Sequence, residues 1–170
     1  MPPIILTGPP GAGKTTIARL LAPHLPRSVH LHTDDFWHYI TAPIPPHLPE
    51  AHTQNTAVMN IIATTTHAYT NAGYQVICDG IIGPWFLPTF GPHPLHYIVL
   101  TPTEPTTLTR ATTREAPALT DQTPILSLHR QFASLGPLAH HALDTTTLTP
   151  AQTTTTILNA LTTGAYLLTP

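Results

Sequence analysis

Short apolar runs alternate along this chain with longer stretches in which apolar residues recur every three or four positions. Ile4-Ile5-Leu6 reads as a strand, and Thr16-Ile17-Ala18-Arg19-Leu20-Leu21-Ala22 has helical spacing. Ser28-Val29-His30-Leu31-His32 alternates with period two and predicts a short strand ending at Thr33-Asp34-Asp35, followed by the aromatic patch Phe36-Trp37-His38-Tyr39. The stretch from Pro43 to Pro49 is too rich in proline for a helix or a central strand and reads as a surface excursion. A helix is predicted from about Gln54 to Tyr69, with Val58, Ile61, Ile62 and Tyr69 on one face and Asn71-Ala72-Gly73 at its end. Tyr74 to Cys78 is a buried strand that delivers Asp79-Gly80. Pro84 to Pro88 is a second aromatic loop, and His96 to Leu100 is the next strand. Thr106 to Thr113 predicts a helix carrying Arg110 and Arg114, and Ala116 to Gln122 a loop. A helix starting at Thr123-Pro124 bears Ile125, Leu128 and Phe132 and stops near Gly136, and His141 to Asp144 forms a last short strand. Thr149-Pro150-Ala151-Gln152 is a capping box with proline at the first helical position, opening a helix that ends at Gly164.

Strands that alternate with helices imply a parallel sheet covered on both faces. Ligands then bind beyond the C-terminal ends of the strands. Lys14, Asp34 and Asp79 all follow strand ends and should converge on one crevice. With 170 residues and neither a repeat nor a composition break, residues 1–170 are expected to form one domain.

Composition sharpens this picture. Only 8% of residues are charged, against roughly 25% in ordinary proteins; threonine, proline and histidine fill the space. Twelve histidines invite a search for a metal site, with His30-x-His32 and His140-His141 the tightest clusters, but in so biased a composition most of them read as surface polar filler. Cys78, the one cysteine, lies in an apolar run and should be a buried thiol; a single cysteine fits a reducing compartment. No basic stretch precedes an apolar segment at the start, and no apolar run approaches the roughly 18 residues of a membrane span, so a cytoplasmic protein is expected. A net charge of −2 with six basic residues argues against a long polyanion partner. Where charge is scarce, each charged group is more informative. Lys14, Asp34, Asp35, Asp79, Arg110, Arg114 and Arg130 therefore carry the weight of the functional reading.

The sole lysine, Lys14, lies in Gly8-Pro9-Pro10-Gly11-Ala12-Gly13-Lys14-Thr15, which fits G-x-x-x-x-G-K-[ST] between a strand and a helix. Glycines let such a loop curl with its N–H groups turned toward an anion, and the following helix adds the positive end of its dipole. Gly8 to Thr16 are thus the expected nucleotide-binding residues. Lys14 would reach the β- and γ-phosphates of ATP, and the Thr15 hydroxyl would ligate Mg²⁺. A guanine-nucleotide switch needs an Asn-Lys-x-Asp motif, which a chain with one lysine cannot supply. Ring-forming motors need an extra helical domain. Phosphoryl transfer to a hydroxyl remains, and it needs a base near the acceptor; adjacent carboxylates on an extended segment point opposite ways, so one of Asp34 and Asp35 can face the γ-phosphate while the other supports structure.

The phosphate loop, Thr33-Asp34-Asp35-Phe36 and Arg110-x-x-x-Arg114 together resemble the small-molecule and polynucleotide kinases of the P-loop class. These include the chloramphenicol phosphotransferases, the zeta-toxin kinases and the phage-type 5′-hydroxyl polynucleotide kinases. The resemblance implies an α/β, three-layer P-loop nucleoside triphosphate hydrolase fold with a central parallel sheet, nucleoside-kinase-like. It implies Asp34 as the general base, and Arg110 and Arg114 as lid arginines, Arg114 steadying the migrating phosphoryl group. It places lid and substrate segments around 36–55 and 110–122. Asp79 occupies the usual place of the acidic residue that holds Mg²⁺ through water. Several relatives carry an arginine just after the aspartate pair, where this chain has aromatics. Asp35, Phe36, Trp37, Tyr39 and Trp85 are accordingly the expected acceptor-side residues. The expected enzyme is an ATP-dependent kinase for a small, uncharged hydroxyl compound. A 5′-hydroxyl polynucleotide kinase and a slow ATP-hydrolysing regulatory protein are the alternatives.

Overall fold

The computed structural model describes residues 1–113 and 120–169. Its strands are β1 (Ile4–Thr7), β2 (Ser28–His32), β3 (Gln75–Asp79), β4 (Leu95–Leu100), β5 (Ala142–Leu143) and β6 (Leu167–Leu168). Its helices are α1 (Lys14–Leu21), α2 (Asp34–His38), α3 (His52–Asn71), α4 (Glu104–Thr112), α5 (Gln122–Ala133) and α6 (Pro150–Thr163). Five strands run parallel in the order β2-β3-β1-β4-β5. β6 adds antiparallel to β4, pairing Leu95 with Leu168, while β5 pairs the other end of the same strand at Val99 and Leu100.

Alternation along the strands sorts side chains onto two cores. Ile5, Cys78, Tyr97 and Val99 point to one face, where Val58, Met59 and Ile62 of α3 and Phe132 of α5 cover them. Ile4, Leu6, Ile77, Ile98 and Leu100 point to the other, against Ile17 and Leu21 of α1 and Ile157 of α6. The strands are therefore apolar on both sides, as expected of a parallel sheet between helical layers. The three-layer α/β fold expected from the sequence is the fold observed. Cys78 is buried as expected, and loss of water pushes its thiol pKa up to about 12.

Three sequence expectations need correction. Asp34 and Asp35 do not extend β2: they form the first turn of α2, and both are solvent-exposed. Negative charge suits a helix N-terminus, which offsets the weak helix preference of aspartate. Neighbouring residues on a helix diverge by about 100°, so the opposed orientation expected on a strand does not apply. On α3 the buried stripe is Val58, Met59, Ile62, Ala63 and Thr66. Ile61 is 55% exposed, and Tyr69, at the end of the helix, sets its ring edge against Tyr74 instead of the core. The third correction concerns histidine: His141 is fully buried and His96 nearly so.

α6 begins as expected. The Thr149 side chain accepts from the Gln152 N–H, the Gln152 side chain accepts from the Thr149 N–H, and Pro150 occupies the first turn. Gly164 closes the helix at φ 71°, a left-handed conformation that suits glycine. Because α6 packs Ile157 beneath the sheet, losing the cap should be felt globally. Thr149→Ala should cost about 1 kcal/mol and lower the melting temperature by roughly 2–4 °C. A thermal melt identical to wild type would show that the box does not secure the helix.

Candidate functional site

β1 ends at Thr7, and the chain turns through Gly8 to Gly13 into α1. Gly8, Gly11 and Gly13 all take positive φ in this turn. Gly11 has φ 82°, and a Cβ there would lie 2.6 Å from the Thr107 carbonyl of α4. Gly13 has φ 90° and caps α1, with open space where a side chain would stand. The loop is thus seated against α4 at Gly11 and open at Gly13; the first N–H groups of a helix have no partner within it and suit an anion. The Lys14 ammonium folds back over the loop and donates to the carbonyls of Gly8 and Pro9, each at 3.0 Å. Thr7 accepts through its hydroxyl from the Ile82 N–H, tying the segment after β3 to the end of β1.

Asp79 is the last residue of β3 and is wholly buried. Burial alone would raise its pKa. Hydrogen bonds from His30, His32 and Thr15 reverse this and hold the carboxyl well below the usual carboxylate range. His30 Nε2 lies 2.6 Å and His32 Nδ1 3.1 Å from Asp79 Oδ1. The Thr15 hydroxyl donates to Oδ2 at 2.6 Å. One carboxylate oxygen is therefore fixed by two imidazoles of β2, and the other faces the phosphate loop. Thr15 and Asp79 thereby offer adjacent hard oxygen donors beside the loop lysine, a donor set that suits Mg²⁺.

Sequence reasoning missed the two histidines. Their signal was the i, i+2 spacing on a predicted strand, which puts both on one face. In the parallel register His32 stands opposite Asp79. The hydrogen bond to Asp79 raises the His32 pKa; partial burial opposes this, and the charges of Asp79, Asp34 and Asp35 add to it.

Asp34 lies beside this cluster, with Oδ2 3.9 Å from His32 Nε2. The structure therefore brings Thr15, Asp79, His32 and Asp34 into one connected group. Asp35 is exposed on the next helical position. Gly80 allows the turn: a Cβ there would run into the Thr33 side chain, and Thr33 N–H donates to the Asp79 carbonyl at 2.9 Å.

The aromatics fall into two groups. Phe36 and Tyr39 meet edge to face at 6.0 Å between centroids, Phe36 and Trp37 pack against the α3-side core, and Tyr39 is largely exposed. The Trp37 indole N–H donates to Asn55 of α3 at 2.9 Å, and Asn55 in turn donates to the Pro46 carbonyl. Gln54 pairs with both backbone groups of Ile44. Trp37 thus helps to anchor the proline-rich excursion to α3. Trp85 stands apart from that group, its ring 5.8 Å from that of Phe132 and lying over Gly83.

Arg110, on α4, lines a cavity of about 210 Å³ with Ala12, Gly13, Thr16 and Ile17, closed by Thr145, Leu148, Pro150 and Thr153. Of the residues after β5, Thr145, Leu148 and Thr153 were not singled out in the sequence. A second cavity, of about 180 Å³, lies between Pro9, Thr101 to Thr103 and His129 and Phe132 of α5. Arg130 is exposed, and Arg114 lies outside the described residues.

The profile of the AAA domain family matches residues 4–122. A sugar kinase from Janibacter sp. shares 20% identity over 95% of each chain, with a TM-score of 0.71. Shikimate kinase from Acinetobacter baumannii, solved with shikimate, shares 26% identity over 96% of this chain and 94% of that one, with a TM-score of 0.69. A tunicamycin resistance protein from Deinococcus radiodurans shares 19% identity over 99% of each chain, with a TM-score of 0.66. No curated protein matches by sequence. Among the described residues, no helix is long and apolar enough to cross a membrane.

The His32–Asp79 pair has a consequence for stability. His32 is raised from 6.5, so its contribution is complete below that value and is lost as pH rises through its folded pKa. Asp79 is lowered from 3.8, so its contribution is present above that value and is lost only as pH falls through a more acidic range. Wild-type melting temperature should therefore fall as pH rises above about 6.5. The fall should be smaller in His32→Asn. Parallel profiles for the two proteins would rule out this coupling.

Proposed function

Because the chain belongs to the AAA domain family, we propose that it is a P-loop kinase that moves the γ-phosphate of ATP to a hydroxyl of a small organic acceptor. The observation that carries this reading is the connected group Thr15–Asp79–His32–Asp34 at the mouth of a complete phosphate loop. Such a group joins a metal-binding end to an exposed carboxylate. A protein that only binds nucleotide needs the first and not the second.

Each residue has a definite task in this reading. The loop N–H groups and Lys14 hold the β- and γ-phosphates, Lys14 exchanging its carbonyl contacts for phosphate oxygens. Thr15 and Asp79 would hold Mg²⁺, which neutralises charge on the β- and γ-oxygens when bound. Asp34 takes the proton from the acceptor hydroxyl as its oxygen turns to the γ-phosphorus. Arg110 covers the nucleoside end in the cavity beside Thr16, its planar guanidinium suited to stacking on a base. Arg114 would steady the migrating phosphoryl group. Asp35, Phe36 and Tyr39 are the acceptor-side groups, with Trp37 behind them as an anchor and Trp85 set apart against Phe132. The 26%-identical shikimate kinase holds shikimate, and two further neighbours are a sugar kinase and a gluconokinase, so a small acceptor is supported by likeness of fold. The low basic count favours such a compound over a nucleic-acid end.

The test is a panel of hydroxyl compounds incubated with protein, Mg²⁺ and γ-labelled ATP. Transfer of label to a compound is expected; label released only as inorganic phosphate, whatever the compound, would favour a regulatory ATPase. Two substitutions separate the roles. Lys14→Ala should abolish transfer and weaken ATP binding, since a unit charge about 4 Å from a phosphate is worth roughly 4 kcal/mol at an effective dielectric near 20. Asp34→Asn should lose about 10²–10⁴-fold in transfer while ATP affinity, measured by calorimetry, stays near wild type. Greater damage from Asp35→Asn would reassign the base to the neighbouring carboxylate.

A further inference from the structure

His32 is placed differently from His30, although both donate to Asp79. The His30 ring is engaged at Nε2, 2.6 Å from Asp79 Oδ1, and that contact already anchors the carboxylate from the sheet side. His32 uses Nδ1 on the same oxygen, which leaves Nε2 turned outward to Asp34 Oδ2 at 3.9 Å. The exposures follow the same line, from 0% at Asp79 through 28% at His32 to 54% at Asp34. One imidazole thus spans a buried carboxylate and an exposed one. Among the described residues no other partner fixes the Asp34 side chain: α2 starts without a side-chain cap, and its backbone is tied down at Thr33 by the Asp79 carbonyl. The three histidine–carboxylate ion pairs of the described residues all meet in this cluster.

We propose that His32 is a positioning residue that sets the distance and orientation of Asp34 relative to Asp79. It thereby links the acceptor side of the site to the metal–nucleotide side. The proposal rests on the kinase reading above, in which those two carboxylates serve those two sides. Without the ring, α2 could keep its fold while its first carboxylate rotated freely into solvent. Lys or Arg would reach both carboxylates but would not hold a fixed spacing, because their stems rotate; an imidazole is rigid and has its two nitrogens on opposite edges.

Two substitutions divide the ring into its halves. The asparagine amide of His32→Asn stands near the position of Nδ1 and can still donate to Asp79, but it cannot reach Asp34. The longer amide of His32→Gln stands near the position of Nε2 and can reach Asp34. Three measurements on the full chain are compared: Mn²⁺·ADP affinity by electron paramagnetic resonance, acceptor-independent ATP hydrolysis, and imidazole ¹⁵N resonances. Because His30 still holds Asp79, both variants should keep Mn²⁺·ADP affinity within about threefold of wild type. Hydrolysis should fall at least about tenfold in His32→Asn, less than the roughly 10²–10⁴-fold of a lost general base, and less again in His32→Gln. In the wild-type background, Asp34→Asn should shift the His32 Nε2 resonance more than the Nδ1 resonance, while Asp79→Asn should do the reverse. Wild-type hydrolysis in His32→Asn, or Mn²⁺·ADP affinity falling in step with hydrolysis in both variants, would overturn the proposal. So would a His32 Nε2 resonance that ignores Asp34→Asn. If wild-type protein failed to bind Mn²⁺·ADP, the kinase reading would fall instead, and the resonance experiment would still decide whether His32 bridges the two carboxylates.

Discussion

A carboxylate with no exposure to water has to be stabilised by its neighbours, and in this protein the arrangement around Asp79 organises everything near the phosphate loop. Its two oxygens are divided between two directions: His30 and His32 take Oδ1, and Thr15 takes Oδ2. β2 is thereby stitched to β3 through side chains as well as backbone, and the start of α1 is stitched to the end of β3. Partners on only one side would leave the carboxylate free to pivot. With three donors from two elements it keeps one orientation, and the oxygen facing the loop is the one a cation would meet. The lowered pKa expresses the same balance, in which burial works against ionisation and three hydrogen bonds more than offset it.

The parts of the fold that the sequence disclosed are those governed by short-range rules. Ile4 to Leu6 and His96 to Leu100 are apolar runs, so they had to be interior strands, and the loop from Gly8 to Thr15 has a motif whose spacing dictates its shape. The Thr149 box and Gly164 marked the ends of α6 because capping is chemistry between near neighbours. The elements that were misread depend on contacts distant in sequence. α2 is only five residues long, and its first turn looks like the tail of a strand until Asp79 is seen holding Thr33. β6 is a two-residue strand that exists because β4 has a free edge beyond β5.

The site divides in the same way. Lys14 and Thr15 were legible from the motif, and Asp79 from its position after a buried strand. His30 and His32 were hidden by the histidine-rich composition, in which a paired imidazole looks no different from a surface one. Their role depends on the register between β2 and β3, which one strand's sequence does not contain. The aromatic residues show the opposite error. Phe36, Trp37, Tyr39 and Trp85 form a suggestive set in sequence, yet Trp37 gives its N–H to Asn55 and Trp85 leans on Phe132. Aromatic side chains are large enough to be claimed by the nearest core, so closeness in sequence is weak evidence that they line one pocket.

In the proposed kinase Thr15 and Asp79 form the metal end of the nucleotide site. Calorimetric titration with ATP, with and without Mg²⁺, compares wild type with Asp79→Asn. Wild-type affinity should rise when Mg²⁺ is present, and Asp79→Asn should still bind ATP through the loop but lose that dependence. Wild-type ATP affinity that is indifferent to Mg²⁺, or a full Mg²⁺ effect retained in Asp79→Asn, would contradict this assignment.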